Sequence, residues 1–91
     1  MRAYPFSADE QVKTGSVRLW GFSLSSGGDN DASLEIFDEA DNSQTAGALA
    51  GVCRIQNGNS NHVSFDKACL LKNGCYVNIT GTNARGILYI E

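Results

Sequence analysis

Apolar and polar residues alternate along much of this chain with a period of two. Over no stretch of ten residues or more do apolar positions recur at the three-and-four spacing of an amphipathic helix. The clearest alternation sets Cys75, Val77 and Ile79 against Tyr76, Asn78 and Thr80, which predicts a strand with one buried face. Gly81-Thr82-Asn83-Ala84 supplies a turn, and Ile87-Leu88-Tyr89-Ile90 is apolar on both faces. With only Glu91 after it, that last strand is expected to be central in its own sheet or covered by another chain. The pattern therefore points toward a β-protein that assembles.

Upstream, Val17-Arg18-Leu19-Trp20-Gly21-Phe22-Ser23-Leu24 predicts a strand with Arg18, Trp20, Phe22 and Leu24 on one face and Val17 and Leu19 on the other. A glycine in its middle signals a bulge or the close approach of another backbone. A second strand is expected over Ala32–Asp38 with Leu34 and Ile36 inward, and a third over Ala48–Ile55. Short strands at Val63–Phe65 and Leu70–Leu71 precede the closing hairpin, which brings the total to about seven. Strands at this spacing, separated by Gly, Asn, Asp and Ser clusters, predict an all-β fold: a small antiparallel sandwich or jelly-roll-like domain over residues 15–91. Residues 1–14 differ in kind. Tyr4 and Phe6 flank the chain's one proline, Pro5, and a polar run follows, so this segment is expected to be an extended N-terminal arm. On that reading, Tyr4, Pro5 and Phe6 are candidate interface residues. Trp20 joins them as a core or subunit-interface aromatic.

Composition narrows the function classes. Gly, Ser, Thr and Asn supply 31 of the 91 residues, which makes the chain turn-rich. A domain this short hides only about 60–65% of its unfolded surface and has little depth for a catalytic cleft. Seven basic against ten acidic residues leave a net charge of −3, with the basic ones scattered singly, which argues against nucleic-acid binding. No apolar run reaches transmembrane length, and the first residues lack the apolar core of a signal peptide, so neither membrane association nor export is expected. Cys53, Cys69 and Cys75 are odd in number, which rules out a complete disulfide framework. Their spacing with His62 matches no close-paired zinc pattern, so they are expected to be reduced core thiols with no cofactor or metal.

Candidate chemistry is sparse. Six acids crowd residues 29–41: Asp29, Asp31, Glu35, Asp38, Glu39 and Asp41. A calcium loop beginning at Asp29 would need glycine where Leu34 stands and glutamate where Ala40 stands, so these acids are expected to serve turns and solvation. Asn78-Ile79-Thr80 fits a glycosylation sequon in the middle of an expected strand. The single histidine, His62, falls in an Asn-rich stretch read as a loop, with no nucleophile motif around it. A non-enzyme is the expectation.

Taken together, Gly15-Ser-Val-Arg-Leu-Trp-Gly21, Leu34-Glu-Ile-Phe-Asp38, Val63-Ser-Phe-Asp66, Asn73-Gly-Cys-Tyr-Val-Asn-Ile-Thr-Gly-Thr82 and the terminal apolar strand resemble the small β-sandwich virion proteins of tailed bacteriophages. The resemblance covers residues 15–91. The three cysteines depart from it, and it assigns residues 1–14 no role. It implies a structural subunit located in the virion capsid and assembled in the host cytoplasm. Such a subunit would be a homo-oligomer whose partner is the major capsid protein or another virion protein. A capsid decoration (cement) role is the leading expectation. A tail, neck or fibre component and a carbohydrate-binding, lectin-like module are the alternatives.

Overall fold

A computed structural model describes residues 1–28 and 30–91, and all of its regular structure apart from one 3₁₀ turn is β. The strands are β1 (Arg2–Phe6), β2 (Glu10–Thr14), β3 (Val17–Ser25), β4 (Ala32–Phe37), β5 (Leu49–Ile55), β6 (Ser60–Leu71), β7 (Gly74–Thr80) and β8 (Arg85–Ile90). They form two four-stranded antiparallel sheets, sheet A in the order β1-β8-β3-β6 and sheet B in the order β2-β7-β4-β5. The pairs β1·β8, β2·β7, β3·β6 and β4·β5 are nested and fall alternately in the two sheets. One long antiparallel ribbon wrapped into two layers gives this order, which is that of an eight-stranded jelly roll. The two strands expected at 63–65 and 70–71 are parts of one strand, β6, and two further strands come from residues 1–14.

The core lies between the sheets. Val17, Leu19, Phe22 and Leu24 of β3 and Leu88 and Ile90 of β8 face Leu34 and Ile36 of β4 and Cys75 and Val77 of β7. The alternation read in β7 holds: Cys75 and Val77 are fully buried, and Ile79 packs half-buried against the core. The apolar run of β8 sits in the interior of sheet A between β1 and β3, so its own sheet covers both of its edges. Cys53 and Cys75 are buried and Cys69 is half-buried, all as free thiols. Desolvation, the larger cause, and the nearby Asp38 charge push the Cys75 thiol pKa up to about 12.

The extended arm is corrected by this structure. Residues 1–14 are the first two strands of the sandwich. β1 runs along β8 from Arg2↔Ile90 to Phe6↔Gly86, and β2 runs along β7. Phe6 is 5% exposed and belongs to the core. A side chain at Gly86 would place its Cβ 2.3 Å from the Phe6 ring, so the glycine makes the room that the ring fills. Tyr4 packs half-buried on the core and its hydroxyl donates to the Glu10 carboxylate, a bond that raises the tyrosine pKa. The polar run that read as part of the arm contains an edge strand with only one neighbour, and such a strand needs few apolar residues. Asp9, in the crossing between the sheets, accepts from the Ile79 amide and from the Asn78 side chain, both at 2.9 Å.

The facing of Trp20 is corrected too. Against β8, Leu19 pairs with Ile90 and Gly21 with Tyr89, so Trp20 is an extra residue bulged out of β3. Against β6, Leu19 pairs with Cys69 and Gly21 with Ser64, so the register shifts across residues 65–68 opposite the bulge. A bulge flips the parity of a strand. Val17 and Leu19 therefore share the core with Phe22 and Leu24, and Trp20 lies outside it. Gly21 is required by close approach: a Cβ there would stand 2.3 Å from the Val63 carbonyl oxygen.

Sheet B carries a cover on its outer side. Phe37 and Tyr76 are cross-strand partners outside the inner core, yet both are buried. The β4–β5 connection, which includes the 3₁₀ turn Ala46–Ala48, is tied down beside them. Asp38 N–H donates to the Ala48 carbonyl at 2.8 Å, and the Gln11 amide donates to the carbonyls of Glu39, Lys13 and Cys75.

Candidate functional site: the outer face of sheet A

Strand register arranges this face in rows. Pro5, Ile87, Ser23 and His62 align across β1, β8, β3 and β6. The next row is Ala3, Tyr89, Gly21 and Ser64, with the bulged Trp20 beside Gly21. One row nearer the loops, Arg85, Ser25 and Ser60 align. Inward neighbours such as Leu88, Phe22 and Leu24 are buried in the core, which leaves these residues on the outside.

His62 is a strand residue of β6, contrary to the loop placement expected for it. Its Nδ1 lies 2.7 Å from Ser23 Oγ and its Nε2 3.0 Å from Ser64 Oγ. Ser23 Oγ also lies 3.3 Å from the Tyr89 hydroxyl, and the His62 and Tyr89 rings meet edge to face at 5.4 Å. Both imidazole nitrogens are thus held by serines. Among the described residues no carboxylate orients the ring, as the charge-stabilising third member of a hydrolytic triad would. The arrangement is a fixed polar and aromatic platform able to donate and accept hydrogen bonds.

Of the four candidate interface residues, the structure brings two to this face. Pro5 is exposed on β1, an edge position where a missing N–H costs no ladder bond. Trp20 is half-buried on the bulge, and its indole N–H is buried without an acceptor among the described residues. Tyr4 and Phe6 alternate to the inner side, where Phe6 is unavailable to a partner. Ser23, His62, Ser64 and Tyr89 were not singled out as a group by sequence. The alternation of Ser60, His62 and Ser64 with Asn61, Val63 and Phe65 was the available signal, obscured by the Asn-rich stretch before it.

The acidic run resolves into loop chemistry. Asp31 accepts from the Asn57 amide, Asp38 from the Asn73 amide, Glu39 from the Thr45 amide and Asp41 from the Ser43 amide, at 2.8–3.0 Å. The hydrogen bond to Ser43 holds the Asp41 pKa below the usual value. Asp29, the first acid of that run and of the calcium-loop comparison, lies outside the described residues. Ser26, buried, accepts from the Gly58 amide at 2.8 Å and the Gly28 amide at 3.2 Å, joining two loops at one end of the sandwich.

The remaining exposed apolar side chains lie elsewhere. Apart from Met1, the large hydrophobic residues most exposed among those described are Leu70 at 53% and Leu49 and Val52 at 40% each. All three sit on β5 and β6, the edge strands that close one flank of the sandwich. No family model, curated protein or solved structure matches this chain.

Proposed function

We propose that this chain is a non-enzymatic structural subunit of a tailed-phage virion, a capsid decoration (cement) subunit that stabilises the head by bridging capsid subunits. The observation that carries the reading is the β5–β6 flank. Its strand edges, with Leu70 exposed on the outer side of β6 and Leu49 and Val52 on the outer side of β5, suit it to pairing with another chain that grips the flank from both sides, through main-chain hydrogen bonds and shallow apolar contacts. Leu49, Val52 and Leu70 are the anchors in this proposal, replacing the arm residues Tyr4 and Phe6. The partner is the major capsid protein or another virion protein, and a sister copy can use the same edges to make a homo-oligomer. Many symmetric copies on a particle make a weak single contact sufficient. A place in the tail, neck or fibre is the alternative within the same class, and it uses the same flank.

The test mixes purified protein with heads assembled from the major capsid protein encoded alongside this chain, and measures occupancy in particle images. Ordered density on the heads is expected. The triple variant Leu49→Lys, Val52→Lys, Leu70→Lys should keep its thermal melt and lose occupancy. Bare heads with the native chain overturn the cement assignment. Unchanged occupancy with the folded variant overturns the flank.

A further inference from the structure

We propose that the loop-proximal end of sheet A's outer face is a binding site for a single carboxylate-bearing sugar ring. This site is separate from the β5–β6 flank anchors and does not rest on the assembly reading. Ser23, Ser25, Ser60, His62, Arg85 and Ile87 line a cavity of about 220 Å³ there. That is smaller than the roughly 300–1,000 Å³ of pockets for drug-sized ligands, a size suited to one ring rather than a chain.

Charge selects the class of ligand. The chain has a net charge of −3, yet no acid lines this cavity among the described residues. Arg85 is exposed and makes no ion pair among the described residues, where the recorded pairs involve Met1, Arg18 and Glu91. A guanidinium without a carboxylate partner offers a planar fork that matches a carboxylate. It is the one permanent cation lining the site, with no lysine or second arginine beside it, which favours a monoanion over a phosphate dianion.

The remaining lining residues select what carries that carboxylate. Ser25 and then Ser60 follow Arg85 across the register, and Ser23 and then His62 follow Ile87 in the next row, so four hydrogen-bonding side chains extend from one side of the arginine and the aliphatic Ile87. Among the described residues Ser60 makes no side-chain hydrogen bond, and Ser25 receives only a long 3.4 Å bond from the Gly27 amide. His62 and Ser23 are already positioned by Tyr89 and Ser64. Several hydroxyl partners beside an apolar side chain fit a ring with hydroxyls at its edge and C–H groups on its face. A peptide carboxylate would use the arginine and leave the hydroxyls idle.

Amide chemical shifts followed while methyl glucuronide is titrated into the full chain test this. Saturable shifts confined to Ser25, Ser60, His62, Arg85 and Ile87 are expected, with binding at least about tenfold tighter than for methyl glucoside, acetate or N-acetyl-aspartate amide, the worth of one charge-assisted hydrogen bond. Arg85→Gln should lose about that factor while the thermal melt stays unchanged, and Ser60→Ala should weaken the glucuronide without affecting acetate. Equal binding of the glucoside removes the carboxylate from the proposal, and equal binding of acetate or the aspartate derivative removes the sugar. Tighter binding of inorganic phosphate, or shifts centred elsewhere, overturns the site.

Discussion

The outer faces of the two sheets treat their aromatic residues differently. On sheet B, Phe37 and Tyr76 point away from the inner core, and the 38–48 connection with Gln11 buries them. On sheet A, Trp20 and Tyr89 also lie outside the core and stay half-buried, Tyr89 beside Ser23 and His62. Both faces are built on strands of similar pattern, so strand sequence alone does not set the fate of an outward aromatic. The length of the neighbouring connection does. The β4–β5 connection is long enough to fold back as a cover, whereas the turns beside sheet A are short. A covered face is a second small core. An uncovered face with fixed polar groups is a surface for other molecules.

The largest expected effect breaks this comparison most directly. Tyr76→Ala should cost about 3–5 kcal/mol in denaturant unfolding, the range for emptying a buried aromatic site, while Tyr89→Ala should cost under about 1 kcal/mol. Equal losses would mean that the two faces are equivalent. The cover itself is tested next. Gln11→Ala removes one amide donating to three carbonyls, those of Lys13, Glu39 and Cys75, and should cost about 1–3 kcal/mol. Hydrogen exchange in residues 38–48 should rise in that variant and stay unchanged in His62→Ala. If exchange at 38–48 does not respond, the loop is held by other means.

The smallest effect probes the core that both faces share. The Cys75 thiol has a folded pKa of about 12 against 9.0 for the free group, so above pH 9 the unfolded chain binds fewer protons than the folded one. Its contribution is complete below pH 9 and is lost as pH rises toward 12. At pH 10 the loss should be about 1.4 kcal/mol, on the scale of about 1.4 kcal/mol per pH unit. Cys75→Ala should flatten this alkaline limb of a stability-against-pH curve and leave the responses of Tyr76 and Tyr89 in place. An alkaline limb of unchanged slope in the variant would assign it to another group, with the Glu10-bonded Tyr4 the next to examine.

Much of this fold was legible along the chain. Alternation in Cys75–Thr80 predicted β7 and its buried face, the apolar run Ile87–Ile90 predicted an interior strand, and the absence of helical spacing predicted an all-β sandwich. Gly21 announced the bulge or close approach that occurs there. These readings succeed because periodicity is a local consequence of one buried and one exposed face, written in consecutive residues.

Other features needed the other strands in place. One bulge residue reversed the facing of Trp20 relative to Phe22, and a register shift leaves no mark in composition. Residues 1–14 carried the pattern of an arm because edge strands are half-solvated, and Phe6 became core only when Gly86, 80 residues away, left space for its ring. The grouping of Ser23, His62, Tyr89 and Arg85 likewise depends on β3, β6 and β8 lying side by side, an order set by how the ribbon wraps. The sequence by itself determined which segments are strands and which side of most of them is apolar, because those properties are local. Only the tertiary structure decided which strands are neighbours, which aromatics acquire a cover, and which polar residues meet, because burial is settled by what packs across a sheet rather than along a strand.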